Sequence, residues 1–497
     1  MANKDNMHEY GFWSLLPPLL AIILAIRTKQ VFISLLFGIW LGWMIISDWN
    51  PLTGTLATIQ GLVNVFQDAG NTRTIMFSAL VGALIIFIQK SGGVQGFIHV
   101  LNRWMQKMEG RDNKVMVQLL AWFTGMVIFV ESSITVLTVG TLYRPAFDNL
   151  KISREKLAYI ADSTSAPTCI LIPFNAWGAF IMGLLLTQGY ENPFSMMIRS
   201  IGYNFYPILA ILMVLFIIIS KKDFGPMKKA EKRTSETGAF LWPDSQPMVS
   251  EELTAVKAKE KIRPRALNML IPILTMVVMM PVMLTYTGWA ASVAARPDAD
   301  LFGQITYAIG QGSGSTSVLV SIITALIVSY ILYAVQKMFT IKEYVDLTMK
   351  GISEMMPLAL LMLFAFAISS VCRELETGQY VADITSQWLS PAFVPFLLFL
   401  VSAFIAFSTG TSWGTFGIMI AIGIPMAQSM GANELMTIAA VLGGGVFGDH
   451  CSPISDTTII SSMSAATDHI DHVRTQMPYA LIVGAITASI YLVMGLI

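Results

Sequence analysis

The chain has 497 residues, of which 55% are hydrophobic and only 12% charged, and 31 Lys+Arg balance 31 Asp+Glu. Soluble domains usually carry about 25% charge, and a formal net charge of zero offers nothing to a nucleic acid. The three cysteines, Cys169, Cys372 and Cys451, lack metal spacing and imply no disulfide framework.

Apolar runs of about 20 residues recur from end to end, long enough to cross a hydrocarbon core of about 30 Å. The N-terminus shows no cleavable signal pattern, so the first apolar run reads as a retained span. Residues 11–26 and 31–47 are two spans joined by a turn with Arg27 and Lys29. Residues 48–72 are turn-rich, and Leu56, Ile59, Leu62, Val63 and Phe66 give them an amphipathic face suited to a membrane surface. Residues 74–90 form a third span, followed by a basic loop with Arg103, Lys107, Arg111 and Lys114.

Residues 115–143 hold Glu131-Ser132-Ser133 near their middle and are followed by Arg144, Lys151, Arg154 and Lys156. Positive loops stay on the cytoplasmic side. Positive flanks at both ends predict a re-entrant hairpin with Glu131 near its tip, the alternative being one long tilted span. Residues 157–188 exceed one span and contain Asp162-Ser163-Thr164-Ser165-Ala166-Pro167-Thr168 and then Ile172-Pro173-Phe174-Asn175, which predicts a broken helix. A span at 201–220 closes the first half, 1–220.

Residues 221–265 hold eleven Lys/Arg against seven Asp/Glu and read as a cytoplasmic linker without a domain of its own. The second half, 266–497, repeats the order. Spans fall at 266–288, 313–336 and 352–372. A hairpin follows at 392–429, interrupted by Ser408-Thr409-Gly410-Thr411-Ser412-Trp413-Gly414-Thr415. A second broken helix spans 436–462, and a last span 477–497. Glu131 and Thr411 lie 280 residues apart, and the same shift pairs Ser132 with Ser412 and Pro145 with Pro425. Five crossings per half invert the second copy. The expected fold is therefore an all-α polytopic membrane protein of two inverted repeats, each with a re-entrant hairpin and a broken helix, the architecture of secondary transporters.

The densest polar break is Gly448-Asp449-His450-Cys451-Ser452-Pro453-Ile454-Ser455-Asp456-Thr457-Thr458. Ionisable groups at membrane depth are costly and mark functional sites. The four breaks supply carboxylates, hydroxyls and freed carbonyls, which are hard oxygen ligands suited to a hard cation. None contains Lys or Arg. Asp449 and Asp456 lead the candidates for binding sodium and protons, then Glu131, then Asp162, whose alternative is a helix N-cap. Ser452, Ser455, Thr457 and Thr458 complete the ion set. Ser132, Ser133, Thr164, Ser165, Asn175, Ser408, Thr409, Thr411, Ser412, Trp413 and His450 are candidates to line the substrate path. His450 either shuttles protons or packs in a polar pocket. His469 and His472, beside Asp468 and Asp471, read as a solvated cytoplasmic loop or helix start rather than a metal site.

The break resembles the NhaC-type sodium/proton antiporter family, within the ion transporter superfamily. The likeness is carried by its G-D-x-x-S-P-x-S-D-T-T core and by Asp468-His469-Ile470-Asp471-His472-Val473-Arg474-Thr475-Gln476-Met477-Pro478-Tyr479-Ala480. The resemblance implies a transporter of the inner (cytoplasmic) membrane, not an enzyme, without a cofactor but with sodium as the transported or coupling ion. It also implies elevator-type movement, a homodimer, and ion binding on Asp449, Ser452, Ser455, Asp456, Thr457 and Thr458. At His450-Cys451 the chain departs from the lysine-containing version of some antiporter members. Two functions remain in play. One is sodium/proton antiport. The other is sodium-coupled transport of a small organic solute, a neutral amino acid or carboxylic acid, favoured by aromatics near the breaks: Phe129, Phe174, Trp177, Trp413, Phe416 and Phe447.

Overall fold

The structure, a computed structural model, describes residues 10–28, 30–106, 113–129, 131–247, 262–386 and 389–497. Among these residues every regular element is a helix, and the one β-bridge joins Pro247 to Asp468. Seven helices are long and apolar enough to cross a membrane: Gly11–Thr28, Ala69–Lys90, Leu267–Ala295, Gly314–Val335, Ile341–Glu374, Pro391–Thr409 and His469–Leu496. Two further spans are helix pairs bent by 42°, Arg154–Leu171 with Ala176–Thr187 and Pro193–Ile201 with Phe205–Ser220. Val31–Ile46 is apolar but shorter.

Local chemistry explains where these helices begin. Asp68 accepts from the Asn71 amide, Ser313 from Thr316, and Asn433 from Met436, so each N-terminus has a side-chain cap. Thr340 and Glu343 form a reciprocal capping box at the head of Ile341–Glu374. The amphipathic stretch is the helix Pro51–Gln67. Its Leu56, Ile59, Val63 and Phe66 point outward, while Gly54 and Gly61 lie against Met44 and Trp43. An outward apolar stripe is what lipid contact requires.

At the centre, Ala69–Lys90 packs against Ile341–Glu374. They meet at two glycines. A Cβ on Gly82 would stand 2.1 Å from the Gly351 carbonyl oxygen, and one on Gly351 would stand 2.4 Å from that of Gly82. Backbone touches backbone here, the close approach that small residues permit in membranes.

Both hairpins turn back on themselves. Thr124 and Tyr143 share a hydrogen bond of 2.8 Å, whereas an unbroken helix would hold them about 28 Å apart at 1.5 Å per residue. The first hairpin is thus Asn113–Val127 and Ser132–Asn149. In the second, Val394–Thr409 and Ser412–Met430, a Cβ on Gly423 would stand 3.0 Å from the Leu398 side chain. The broken helices are Arg154–Ser163, Ala166–Leu171 and Ala176–Thr187 in the first half, and Glu434–Cys451 with Asp456–Ala465 in the second. Hairpin and broken helix recur about 280 residues apart, consistent with the predicted inverted repeat.

The described first part of the linker, residues 221–247, is docked on the bundle. Its helix Gly225–Thr237 packs on the start of the first broken helix and on His469–Leu496. Arg233 grips Glu155 with two hydrogen bonds of 2.9 and 3.0 Å, and Lys156 meets Asp223 at 2.7 Å. Glu231 accepts from the Ser153 amide and hydroxyl. Arg154 donates twice to Asp148 and once to the Ala466 carbonyl. Ser245 bonds Asp471, the Gln246 amide bonds Asp468, and Tyr479 bonds Asp223.

Candidate functional site

The two helix breaks and the two hairpin tips are tied to each other by side-chain bonds. Asn175 caps Ala176–Thr187 by accepting from the Gly178 amide at 3.0 Å. Its Nδ2 donates to the carbonyls of Phe129, in the first hairpin's tip, and Cys169. In the second half Ser452 donates to the Phe407 carbonyl at 2.8 Å. Gly410 ends the first arm of its hairpin at φ +68°, where a Cβ would stand 2.6 Å from the Ile454 carbonyl oxygen. Only glycine fits that turn without strain.

Four carboxylates gather at these ties. Glu131 caps Ser132–Asn149, accepting from the Ile134 amide at 3.1 Å and from the Ser132 and Ser133 hydroxyls at 3.2 and 3.3 Å. Asp449 accepts from the Ser412 hydroxyl at 2.8 Å through Oδ2, while its buried Oδ1 has no partner among the described residues. Asp456 accepts from the Thr457 amide at 2.8 Å and is exposed, at the head of Asp456–Ala465. It lies within electrostatic reach of both Glu131 and Asp449. Phe129 and Ser133 at the first hairpin's tip, Thr411 at the second, and Pro453 and Ile454 in the second break are half-buried.

Asp162 sits apart from water, 1% exposed. Its Oδ2 accepts from Gln476 at 2.7 Å and Thr458 at 3.4 Å, with His472 Nε2 at 3.5 Å and His450 Nε2 at 3.9 Å. His450 is fixed by Ser163 at 3.0 Å and Tyr206 at 2.8 Å, and Gln476 also donates to the His450 carbonyl. The carboxylates therefore divide into Glu131, Asp449 and Asp456, respectively half-buried, buried and exposed, and a sealed cluster around Asp162. The basic side chains nearest in sequence, Arg154 and Lys156, are paired with Asp148 and Asp223 at the linker end.

The remaining candidates fall into place around these two groups. Ser455 and Thr457 share a hydroxyl bond of 3.0 Å, and Thr458 reaches Asp162. Thr164, Ser165 and Thr409 bond carbonyls three or four residues back, as hydroxyls inside helices do. Ser408 is half-buried beside the second tip. Asp162 is not a helix N-cap: it lies in the last turn of Arg154–Ser163, and Ser165 precedes the next helix. Asp468 does start a helix, with both carboxylate bonds to the Ile470 and Asp471 amides. His472 is not solvated there; it is wholly buried against Asp162. His469 bonds Ser462 and the Pro453 carbonyl. Trp177 and Phe416 are packed core rather than lining, and Phe447 stacks on Phe399. Gln476, Tyr206 and Ser163 were not among the sequence candidates; a polar Gln within the last apolar span was the available signal. Among the described residues no three His, Cys, Asp or Glu side chains converge as a metal-ion cluster.

A model of the Na+/H+ antiporter family matches residues 179–496. A Haemophilus influenzae protein described only as uncharacterized is 35% identical over 97% of this chain and 91% of its own length. The arginine/ornithine antiporter ArcD of Halobacterium salinarum is 39% identical over a stretch that makes 22% of this chain and 23% of that one. Among solved structures, the YdaH transporter of Alcanivorax borkumensis has a TM-score of 0.57 at 14% identity, over 94% of this chain and 97% of that one, and so shares the fold. The chain belongs to the Na+/H+ antiporter family: it is a multi-pass membrane transporter and not an enzyme.

Proposed function

We propose that the chain exchanges sodium for protons across the cytoplasmic membrane, with sodium held in a crevice between Asp456, Asp449 and Glu131. Ser452, Ser455, Thr457 and the carbonyls freed at the break supply the other oxygens, while Thr458, bonded to Asp162, lies with the sealed cluster. The observation that carries this reading is charge. Asp456 lies within electrostatic reach of both Glu131 and Asp449, Asp449 Oδ1 is buried without a partner among the described residues, and the four polar breaks contain no Lys or Arg. A buried carboxylate such as Asp449, with further carboxylates in reach, favours neutralisation by a bound cation or by protons. Occupancy by one then excludes the other, and alternate exposure of such a site is antiport.

Asp162, closed off with His450, His472 and Gln476, belongs in this reading to the charge balance rather than to the sodium shell. The positive linker faces the cytoplasm by the rule for basic loops. The two hairpins with their broken helices move as an elevator against the Ala69–Lys90 and Ile341–Glu374 scaffold, and the protein works as a homodimer. Asp456→Asn tests the assignment. Proteoliposomes with an imposed pH gradient should lose sodium-dependent proton movement while expression and folding persist. Undiminished exchange would remove Asp456 from the site.

A second reading, sodium-coupled exchange of a small organic solute, rests on the half-buried rings of Phe129 and Phe174 beside the first hairpin's tip and on the local likeness to an amino-acid antiporter. A thermal-shift screen separates the two. Sodium or lithium alone should raise the melting temperature in proportion to ln(1 + [L]/Kd). Stabilisation by an amino or organic acid that grows with sodium would favour the second reading.

A further inference from the structure

We propose that Trp177 and Trp413 form an aromatic seal that closes the repeat-related twin of the cargo crevice, so that only one of two like junctions admits water and ions. This rests on the crevice at Glu131 and Asp456 being the cargo site. The first hairpin's second arm, Ser132–Asn149, packs on Asp456–Ala465. They touch at Gly140, where a Cβ would stand 2.0 Å from Ser464 Oγ. Two turns earlier on each helix come Ser133 and Thr457, at the mouth that holds Glu131 and Asp456. In the other half Ser412–Met430 packs on Ala176–Thr187. Shifting Glu131, Ser133, Asp456 and Thr457 by 280 residues, forward or back, lands on Thr411, Trp413, Ala176 and Trp177.

The two junctions thus share a frame and differ in filling. Where one carries two carboxylates and two hydroxyls, the other carries a threonine, an alanine and two indoles. The indole centroids are 4.7 Å apart, and Phe180 and Phe416 close around them at 5.2 Å from Trp413 and 6.1 Å from Trp177. The hairpin sides are alike, Glu131, Ser133, Thr411 and Trp413 all being half-buried, and Thr457 and Trp177 are both buried; the junctions part at Asp456, which is exposed, and its counterpart Ala176, which is 1% exposed. Packed aromatic faces exclude water and leave no oxygen to replace an ion's hydration shell. A transporter with both junctions wet would give protons a path uncoupled from the cargo, and the indole pair removes it.

Cysteine accessibility tests this without requiring transport. The native cysteines are buried. Ala176→Cys and Ser133→Cys, each in the otherwise native protein, are treated with a small cationic methanethiosulfonate in vesicles, and modification is read by mass spectrometry. Reactivity follows exposure, so Ala176→Cys should react at least about ten-fold more slowly than Ser133→Cys. Adding Trp413→Ser or Trp177→Thr should bring Ala176→Cys toward the Ser133→Cys rate, while Trp413→Phe should not. Equal rates at the two sites in the native background would overturn the seal, and so would a protected Ala176→Cys in either opened, folded variant. If the opened variants do not fold, the native-background comparison still decides. A Ser133→Cys that does not react would instead count against the cargo crevice itself.

Discussion

Arg233→Met should destabilise the protein more than Glu155→Gln, and combining the two should recover part of the loss. The Glu155 side chain is 0% exposed and Arg233 8%. Removing the guanidinium leaves a carboxylate buried without its counter-charge, which costs about 3–5 kcal/mol. The same arginine donates to the carbonyls of Ala239 and Phe240 and lies 4.5 Å from the Trp242 ring, so the turn after the linker helix loosens as well. Glu155→Gln keeps those contacts but turns one of the two accepting oxygens into an N–H donor, and its cost should be about 1.5–3 kcal/mol, that of one charged hydrogen bond, because Arg233 keeps its carbonyl acceptors. In the double variant no charge is buried, and about 2 kcal/mol of the Arg233→Met loss should return. Melting temperatures of the four proteins, followed by tryptophan fluorescence in one detergent, give the order. A double variant no more stable than Arg233→Met would refute the claim that an orphaned charge is the main penalty.

Other outcomes follow from the site. Gly410→Ala places a Cβ in a left-handed turn and against the Ile454 carbonyl; it should cost about 1 kcal/mol or more and depress transport, measured by melting temperature and by vesicle exchange. Asn175→Ala unpairs two carbonyls and uncaps a helix, and denaturation should show a loss of about 1–3 kcal/mol. Ser412→Ala leaves Asp449 without its hydroxyl donor, and the sodium concentration for half-maximal exchange should change several-fold, by the ~1.5–3 kcal/mol ceiling of a charged hydrogen bond; an unchanged value would place Asp449 outside the ion shell. Gly82→Leu would drive Ala69–Lys90 from Ile341–Glu374, and folded yield in the membrane should fall sharply.

Much of the architecture was legible because membranes allow few solutions. Hydropathy located most spans, and Pro, Gly and hydroxyl clusters marked the breaks at 162–175 and 449–458, since freed backbone groups at that depth need polar company. Glu131 at a hairpin tip followed from basic residues on both flanks. What sequence concealed was partnership across long separations. Nothing local to His472, two residues from an arginine and among charged neighbours, says that it is buried against Asp162. The Asp468-rich helix start looks like a surface because its acids cap amides and bind the linker. Likewise nothing in the sequence pairs Trp177 with Trp413, whose rings lie 4.7 Å apart. The linker, rich in charge, reads as solvated, yet its Arg233 and Asp223 are paired with Glu155 and Lys156 of the bundle.

The docked linker also imposes an order on biogenesis. Its bonds to Ser153, Glu155 and Lys156 join residues 67 to 78 apart and can form once that half has left the ribosome. The bonds from Arg154 to Ala466 and from Asp223 to Tyr479 span 312 and 256 residues. At about 5–20 residues per second, the Arg154 guanidinium waits roughly 15–60 s for the carbonyl that completes its shell. The nascent first half therefore exists for a time with its clamp half-made. A chain cut before Ala466 would be left in that state, a natural target for membrane quality-control proteases.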